Sequence, residues 1–186
     1  MRLAMCGIVG LLDKRETQDA PDGRIVLTML EALACRGPDG AGAAMLRSEP
    51  FEEAWTVRIA PADPAPVDRL KDLGLGRVER IQRQGDTLRF RFFPAPEVTA
   101  AILEQALGAA PGVLEVLGIG LRLDLVKHDG SPAGLERVYQ ISAWHAPAAI
   151  GHTRMSTESR IDLSHSQPFW AHGVPDLATV HNGHIT

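Results

Sequence analysis

The chain has 186 residues, enough for one globular domain or for one domain carrying an insertion. With 45% hydrophobic and 23% charged residues its composition is that of a folded protein, not of a disordered or fibrous one. There are 19 Lys and Arg against 23 Asp and Glu, a net charge of −4, and no zone is net basic, which excludes phosphate-backbone binding as the main activity.

Three zones follow in chain order. MRLAM lacks the pattern of a secretory signal, and no apolar run reaches the ~18 residues of a membrane-spanning helix, so neither export nor a membrane partner is expected. Two cysteines, Cys6 and Cys35, do not make a disulfide framework in a chain of this size, and a reducing cytoplasm fits best. MCGIVGLLD at 5–13 reads as a buried strand. RIVLTMLEAL at 24–33 has apolar residues at 25, 26, 29, 30 and 33, the spacing of a helix, and CRGPDG at 35–40 stops it. GAGAAML at 40–46 reads as a second strand.

The middle zone, 48–145, is less regular. PADPAP at 61–66 is a loop. VERIQRQGDTLRFRFF at 78–93 alternates around Gln84-Gly85-Asp86, the pattern of a β-hairpin. PEVTAAILEQALGAAPG at 96–112 reads as a helix, and 117–130 and 136–144 as strands. Gly118-Ile119-Gly120 lacks the third glycine and the following helix of a dinucleotide loop. The last zone, 146–186, is rich in His, Ser, Thr and Asn. Six histidines between 145 and 184, at 145, 152, 165, 172, 181 and 184, match no zinc-ligand spacing and no Cys-x-x-Cys accompanies them, so no metal and no cofactor is expected.

Cys6 carries the most chemistry. As residue one of a mature chain it would own a thiol and a free α-amine, whose ordinary pKa of about 7.7–8.0 lets it act as the thiol's general base. As an internal residue it would be a small packed thiol. CGIVG, RGPDG, GHTRMST, SQPF and HNG occur in that order, and together they resemble the class II, N-terminal-nucleophile, glutamine amidotransferase domain. That domain is found in amidophosphoribosyltransferase, asparagine synthetase, glucosamine-6-phosphate synthase and glutamate synthase. The blend of GHTRM with RGPDG is most similar to stand-alone amidotransferase subunits of glutamate-synthase-like and N-methylglutamate-synthase-like enzymes.

The resemblance implies an α+β fold, an αββα sandwich of two antiparallel sheets flanked by helices (the Ntn-hydrolase fold), with 48–145 as a family-variable insertion carrying the hairpin and helix. It implies that Cys6 attacks the side-chain amide of glutamine, and that Asn182 and the Gly183 N–H form the oxyanion hole. Arg154 would bind the substrate α-carboxylate through its planar fork, with Thr157 adding a hydroxyl. Arg36 and Asp39 in RGPDG would shape the pocket wall, Gln167 would stand beside it, and His152 would be a buried ring bonded to backbone groups. Cys35 would be a packed thiol. Ammonia would pass to a partner synthase subunit.

Two departures from the family pattern set further expectations. MRLAM precedes Cys6, so the amine is exposed only by cleavage of residues 1–5, or by ordinary Met removal if translation starts at Met5. The family fold continues past HNG and supplies an aspartate for the substrate α-amino group, so the chain is expected to be C-terminally incomplete. Those departures support the alternative, a catalytically inactive regulatory or assembly subunit that keeps the fold.

Overall fold

A computed structural model describes residues 5–14, 22–50, 53–62, 70–155, 163 and 165–183. The chain is α+β, with two four-stranded antiparallel sheets and, among the described residues, three helices, which is compatible with the expected two-sheet fold. Among the described residues no helix is long and apolar enough to cross a membrane. The chain divides into two compact units, 1–48 with 125–169 and 178–186, and 49–124 with 170–177. Residues 125–145 belong with the first unit in this division.

In the first unit, strands β1 (Gly7–Leu12), β2 (Gly40–Leu46), β7 (Leu123–His128) and β8 (Ala148–Arg154) form a sheet of order β1-β8-β2-β7. Both β1 and β2 run antiparallel to β8, pairing Ile8 and Gly42 with His152, and Gly7 and Ala41 with Thr153. Because side chains alternate, Val9, Ala41, Ala43, Met45, Val126 and Ala149 form the core face. Helix α1 (Asp22–Leu33) buries Val26 and Leu30 against them and leaves Ile25 exposed, so its apolar stripe is narrower than the sequence spacing allowed. Its first residue, Asp22, is buried and accepts the Ala146 N–H at 3.0 Å. Leu30 is wholly buried, and truncation to Ala there would cost about 2–5 kcal/mol.

Two sequence expectations fail in this unit. Residues 136–144 are not a strand but helix α3 (Pro132–Tyr139) and a 3-10 turn (Ile141–Ala143). Ser131 caps α3 by accepting the Gly134 N–H, Pro132 suits the first turn, and Leu135, Tyr139 and Ile141 then reach the core together. Cys35 is exposed, not packed, because it follows the last turn of α1 on the solvent side.

In the second unit, β3 (Trp55–Pro61), β4 (Gly76–Gln84), β5 (Thr87–Pro94) and β6 (Val113–Gly120) form a sheet of order β4-β5-β3-β6. The β4–β5 hairpin turns at Gly85-Asp86 as expected, with Gly85 at φ 57°. Helix α2 (Ala100–Ala109) is capped by Thr99, buries Leu103 and Leu107, and packs on β6. One sheet face is apolar, with Trp55, Val57 and Ile59 opposite Phe92, Phe90 and Leu88. The other carries Thr56 and Arg58 opposite Arg91 and Arg89. Residues 117–130 are not continuous: β6 and β7 are separated at 121–122, where Asp176 accepts the N–H groups of Arg122 and Leu123 at 2.8 and 2.9 Å. Short strands β9 (Phe169–Trp170) and β10 (Ala178–Thr179) pair with each other.

Candidate functional site

The face of the first sheet opposite α1 gathers most of the motif residues. Cys6 lies one residue ahead of β1 and is half-buried. Continuing the pairing of Gly7 with Thr153 by one step sets Cys6 opposite Arg154, the last residue of β8. The Met155 N–H donates to Cys6 Sγ at 3.4 Å, and the thiol is 3.8 Å from the Met155 carbonyl. Period-2 alternation puts His152 on the same face as Arg154, while Thr153 turns the other way and donates its hydroxyl to the Leu33 carbonyl.

Arg154 is buried, at 5% exposure. RGPDG runs along its backbone. A Cβ on Gly37 would stand 2.5 Å from the Thr153 carbonyl, so the segment lies flat on the strand end, and the Asp39 N–H donates to the Arg154 carbonyl at 3.0 Å. Asp39 is half-buried beside the arginine, whereas Arg36 is exposed and its N–H closes the α1 turn on Leu33. Thr157 lies outside the described residues.

HNG arrives from the far end of the chain. Asn182 Nδ2 donates to the Cys6 carbonyl at 3.0 Å, a contact between residues 176 apart in sequence. A primary amide carries two N–H bonds, so the second donor of Asn182 stays available. Gly183 has φ 137°, a conformation that side chains strongly disfavour. Gln167, joined to Pro168 by a cis peptide, grips His181: its Oε1 accepts the His181 N–H at 2.5 Å and its Nε2 donates to the His181 carbonyl at 2.9 Å.

His152 departs from its expected role. It is buried at 1% exposure, yet neither ring nitrogen has a hydrogen-bond partner among the described residues, and neither does Nε2 of His181. Burial pushes the His152 pKa down to about 4. The adjacent His181 backbone works the other way, without an aligned hydrogen bond, while the charges of Arg154 and His181 reinforce the fall. The ring is therefore neutral near pH 7.

Sequence reasoning passed over one buried residue on this face. Lys127, in β7, donates to the Leu163 carbonyl at 3.2 Å and stands 5.3 Å from the Phe169 ring centroid. A lysine following Leu125-Val126 within a strand was the available signal. Among the described residues no group of three or more His, Cys, Asp and Glu lies close enough together to hold a metal.

No protein-family model matches the chain. It is similar along its length to two curated proteins. One, from Methanothermobacter thermautotrophicus and provisionally named a glutamine amidotransferase, is 31% identical over 98% of this chain and 62% of its own length. The other, the glutamine amidotransferase-like protein GlxB of Rhizobium meliloti, is 28% identical over 98% of this chain and 60% of its own. The chain thus spans about three fifths of the curated relatives it matches, both of which carry glutamine amidotransferase in their names.

Proposed function

We propose that the chain carries the glutaminase half-reaction of a class II glutamine amidotransferase, with 48–145 as an elaboration of that domain. The observation that carries this reading is the convergence of Cys6, Arg154 and Asn182: one hydrogen bond joins the first and last across the length of the chain, and the strand register sets Arg154 opposite the thiol. The names of the two relatives favour glutamine as the nitrogen donor.

In this reaction Arg154 holds the glutamine α-carboxylate, with Thr157 adding its hydroxyl. The Cys6 thiol gives its proton to its own α-amine, and the thiolate attacks the glutamine Cδ. The resulting oxyanion takes hydrogen bonds from the second N–H of Asn182 and from the Gly183 N–H. Each such donor lowers the barrier by about 2.7–4 kcal/mol. The C–N bond breaks as the ammonium returns its proton to the departing nitrogen, leaving ammonia and a γ-glutamyl thioester. Water then attacks the thioester, releasing glutamate and restoring the thiol. Ammonia passes to a partner synthase.

The amine exists only once the Met5–Cys6 peptide bond has been cut. With Met5 attached, the Cys6 nitrogen is an amide and not a base, and the chain is the inactive subunit of the second reading. Intact mass after treatment with a glutamine-analogue electrophile separates the two. One adduct on a chain beginning at Cys6 is the expected result; its absence overturns catalysis. Cys6→Ala in the matured chain should reduce glutamine hydrolysis by at least about 10⁴-fold, as loss of a nucleophile does elsewhere. Residual turnover near wild type would remove Cys6 from the mechanism.

A further inference from the structure

Residues 165–169 cross the open face of the first sheet, and they can do so because β2 offers no side chain there. A Cβ on Gly42 would stand 2.1 Å from the Gln167 carbonyl oxygen and 2.9 Å from Pro168 Cδ, and one on Gly40 would stand 3.2 Å from Ser166 Oγ. Lys127 fastens the flanks, with its ammonium on the Leu163 carbonyl and near the Phe169 ring. From this seat the Gln167 amide engages both backbone groups of His181. Two parallel hydrogen bonds to one residue fix its rotation as well as its position, which a single bond does not. His181 is followed directly by Asn182 and Gly183, and Asn182 in turn reaches the Cys6 carbonyl. A continuous mechanical path therefore runs from Gly42 through Gln167 and His181 to Asn182.

We propose that Gln167 is a positioning residue that sets the Asn182 and Gly183 donors against the carbon attacked by Cys6; this rests on the glutaminase reading above. Gln167 touches neither the thiol nor Arg154 through any of these bonds, so its effect falls on the transition state and not on substrate capture. A misplacement of about 1 Å in such donors costs up to about 100-fold in rate.

The test uses the full matured chain and Gln167→Met, which keeps the side-chain length and removes both bonds. The expected result has three parts. The kcat for glutamine hydrolysis falls 10- to 100-fold with KM within threefold, alkylation of Cys6 by iodoacetamide stays within twofold of wild type, and amide exchange at His181, whose N–H Gln167 accepts, accelerates at least tenfold. A kcat loss below fivefold, a matching loss of Cys6 alkylation, or unchanged exchange at His181 overturns the positioning role. Wild-type chain that begins at Cys6 and hydrolyses no glutamine overturns the glutaminase reading instead, while the exchange comparison still reports on the clamp. If Gln167→Met does not fold, Gln167→Leu, which also removes both bonds, gives the same readings.

Discussion

Both units bury polar side chains on one face of a four-stranded sheet, but they treat them differently. In the second unit Arg58 donates to Asp124 at 3.0 Å, to Thr87 at 3.0 Å and to Gln84 at 2.9 Å, and Arg89 donates to the other oxygen of Asp124 at 2.8 Å. Arg91 meets Thr56 at 2.5 Å. Burial alone would raise the Asp124 pKa, but the charges and hydrogen bonds of Arg58 and Arg89 outweigh it and hold the carboxyl below its ordinary value. In the first unit the ring nitrogens of buried His152 and the Nε2 of half-buried His181 have no hydrogen-bond partner among the described residues, next to Arg154. The second unit thus gathers its buried charges around one carboxylate, whereas the first buries a neutral imidazole whose ring nitrogens have no hydrogen-bond partner among the described residues.

The sharpest way to break this contrast is Asp124→Ala. Removing one partner of a buried pair leaves the Arg58 charge uncompensated, so the second unit should lose about 3–5 kcal/mol of stability. Denaturant unfolding followed by the fluorescence of buried Trp55 measures it. Glutamine hydrolysis well below the unfolding transition should stay within twofold of wild type. A loss of activity comparable with that of a site variant would show that the second unit's network is part of the chemistry.

Asn182→Ala is the converse. It should lower kcat by about 10²–10³-fold, about 2.7–4 kcal/mol of barrier, with KM little changed. Its effect on stability should stay near 1 kcal/mol, since a single hydrogen bond from an exposed residue is removed. Steady-state kinetics beside a denaturation curve decide it. A stability loss as large as that of Asp124→Ala would make Asn182 a structural strut and not an oxyanion donor.

How legible these two units were follows from the range of the interactions that build them. The strand at 7–12, helix α1, β2, the Gly85 hairpin and α2 are local, and periodicity with turn and cap residues marks each one. Helix α3 was misread because Val138, Tyr139 and Ile141 favour strands, while its helical signal, Ser131-Pro132, lies upstream of the window read. Strand β3 alternates Trp55, Val57 and Ile59 with Thr56 and Arg58. Alternation of that kind is the usual mark of a face turned to water, yet Arg58 and Arg91 are buried, because Asp124 and Thr56 supply their partners across the sheet. Cys6, Arg154 and Asn182 could be grouped only through the order of their motifs, since no periodicity spans the length of the chain. The Gln167 grip was not legible at all, because it depends on β2 having glycine where the 165–169 segment crosses.

Acidification offers the mildest test, and it addresses the two units in turn. The His152 pKa is about 4 when folded, against an ordinary 6.5. Between those values the unfolded chain binds the extra proton, so folding stability rises with pH there. The contribution is fully present above pH 6.5 and disappears as pH falls toward 4, and the gap corresponds to about 3 kcal/mol. Asp124 behaves on the far side of that window: its carboxyl is held below the ordinary 3.8, so what it contributes persists above that value and is lost only at more acid pH. Hydrogen exchange read separately in β8 and β5 should therefore show β8 losing protection between pH 6.5 and 4 while β5 holds. In a His152→Gln variant the β8 loss in that window should flatten, because no imidazole remains to be charged. Equal, parallel loss in both strands across the window would mean that the buried histidine does not set the acid response of the first unit, and that the difference between the two polar faces is not one of unpartnered against paired groups.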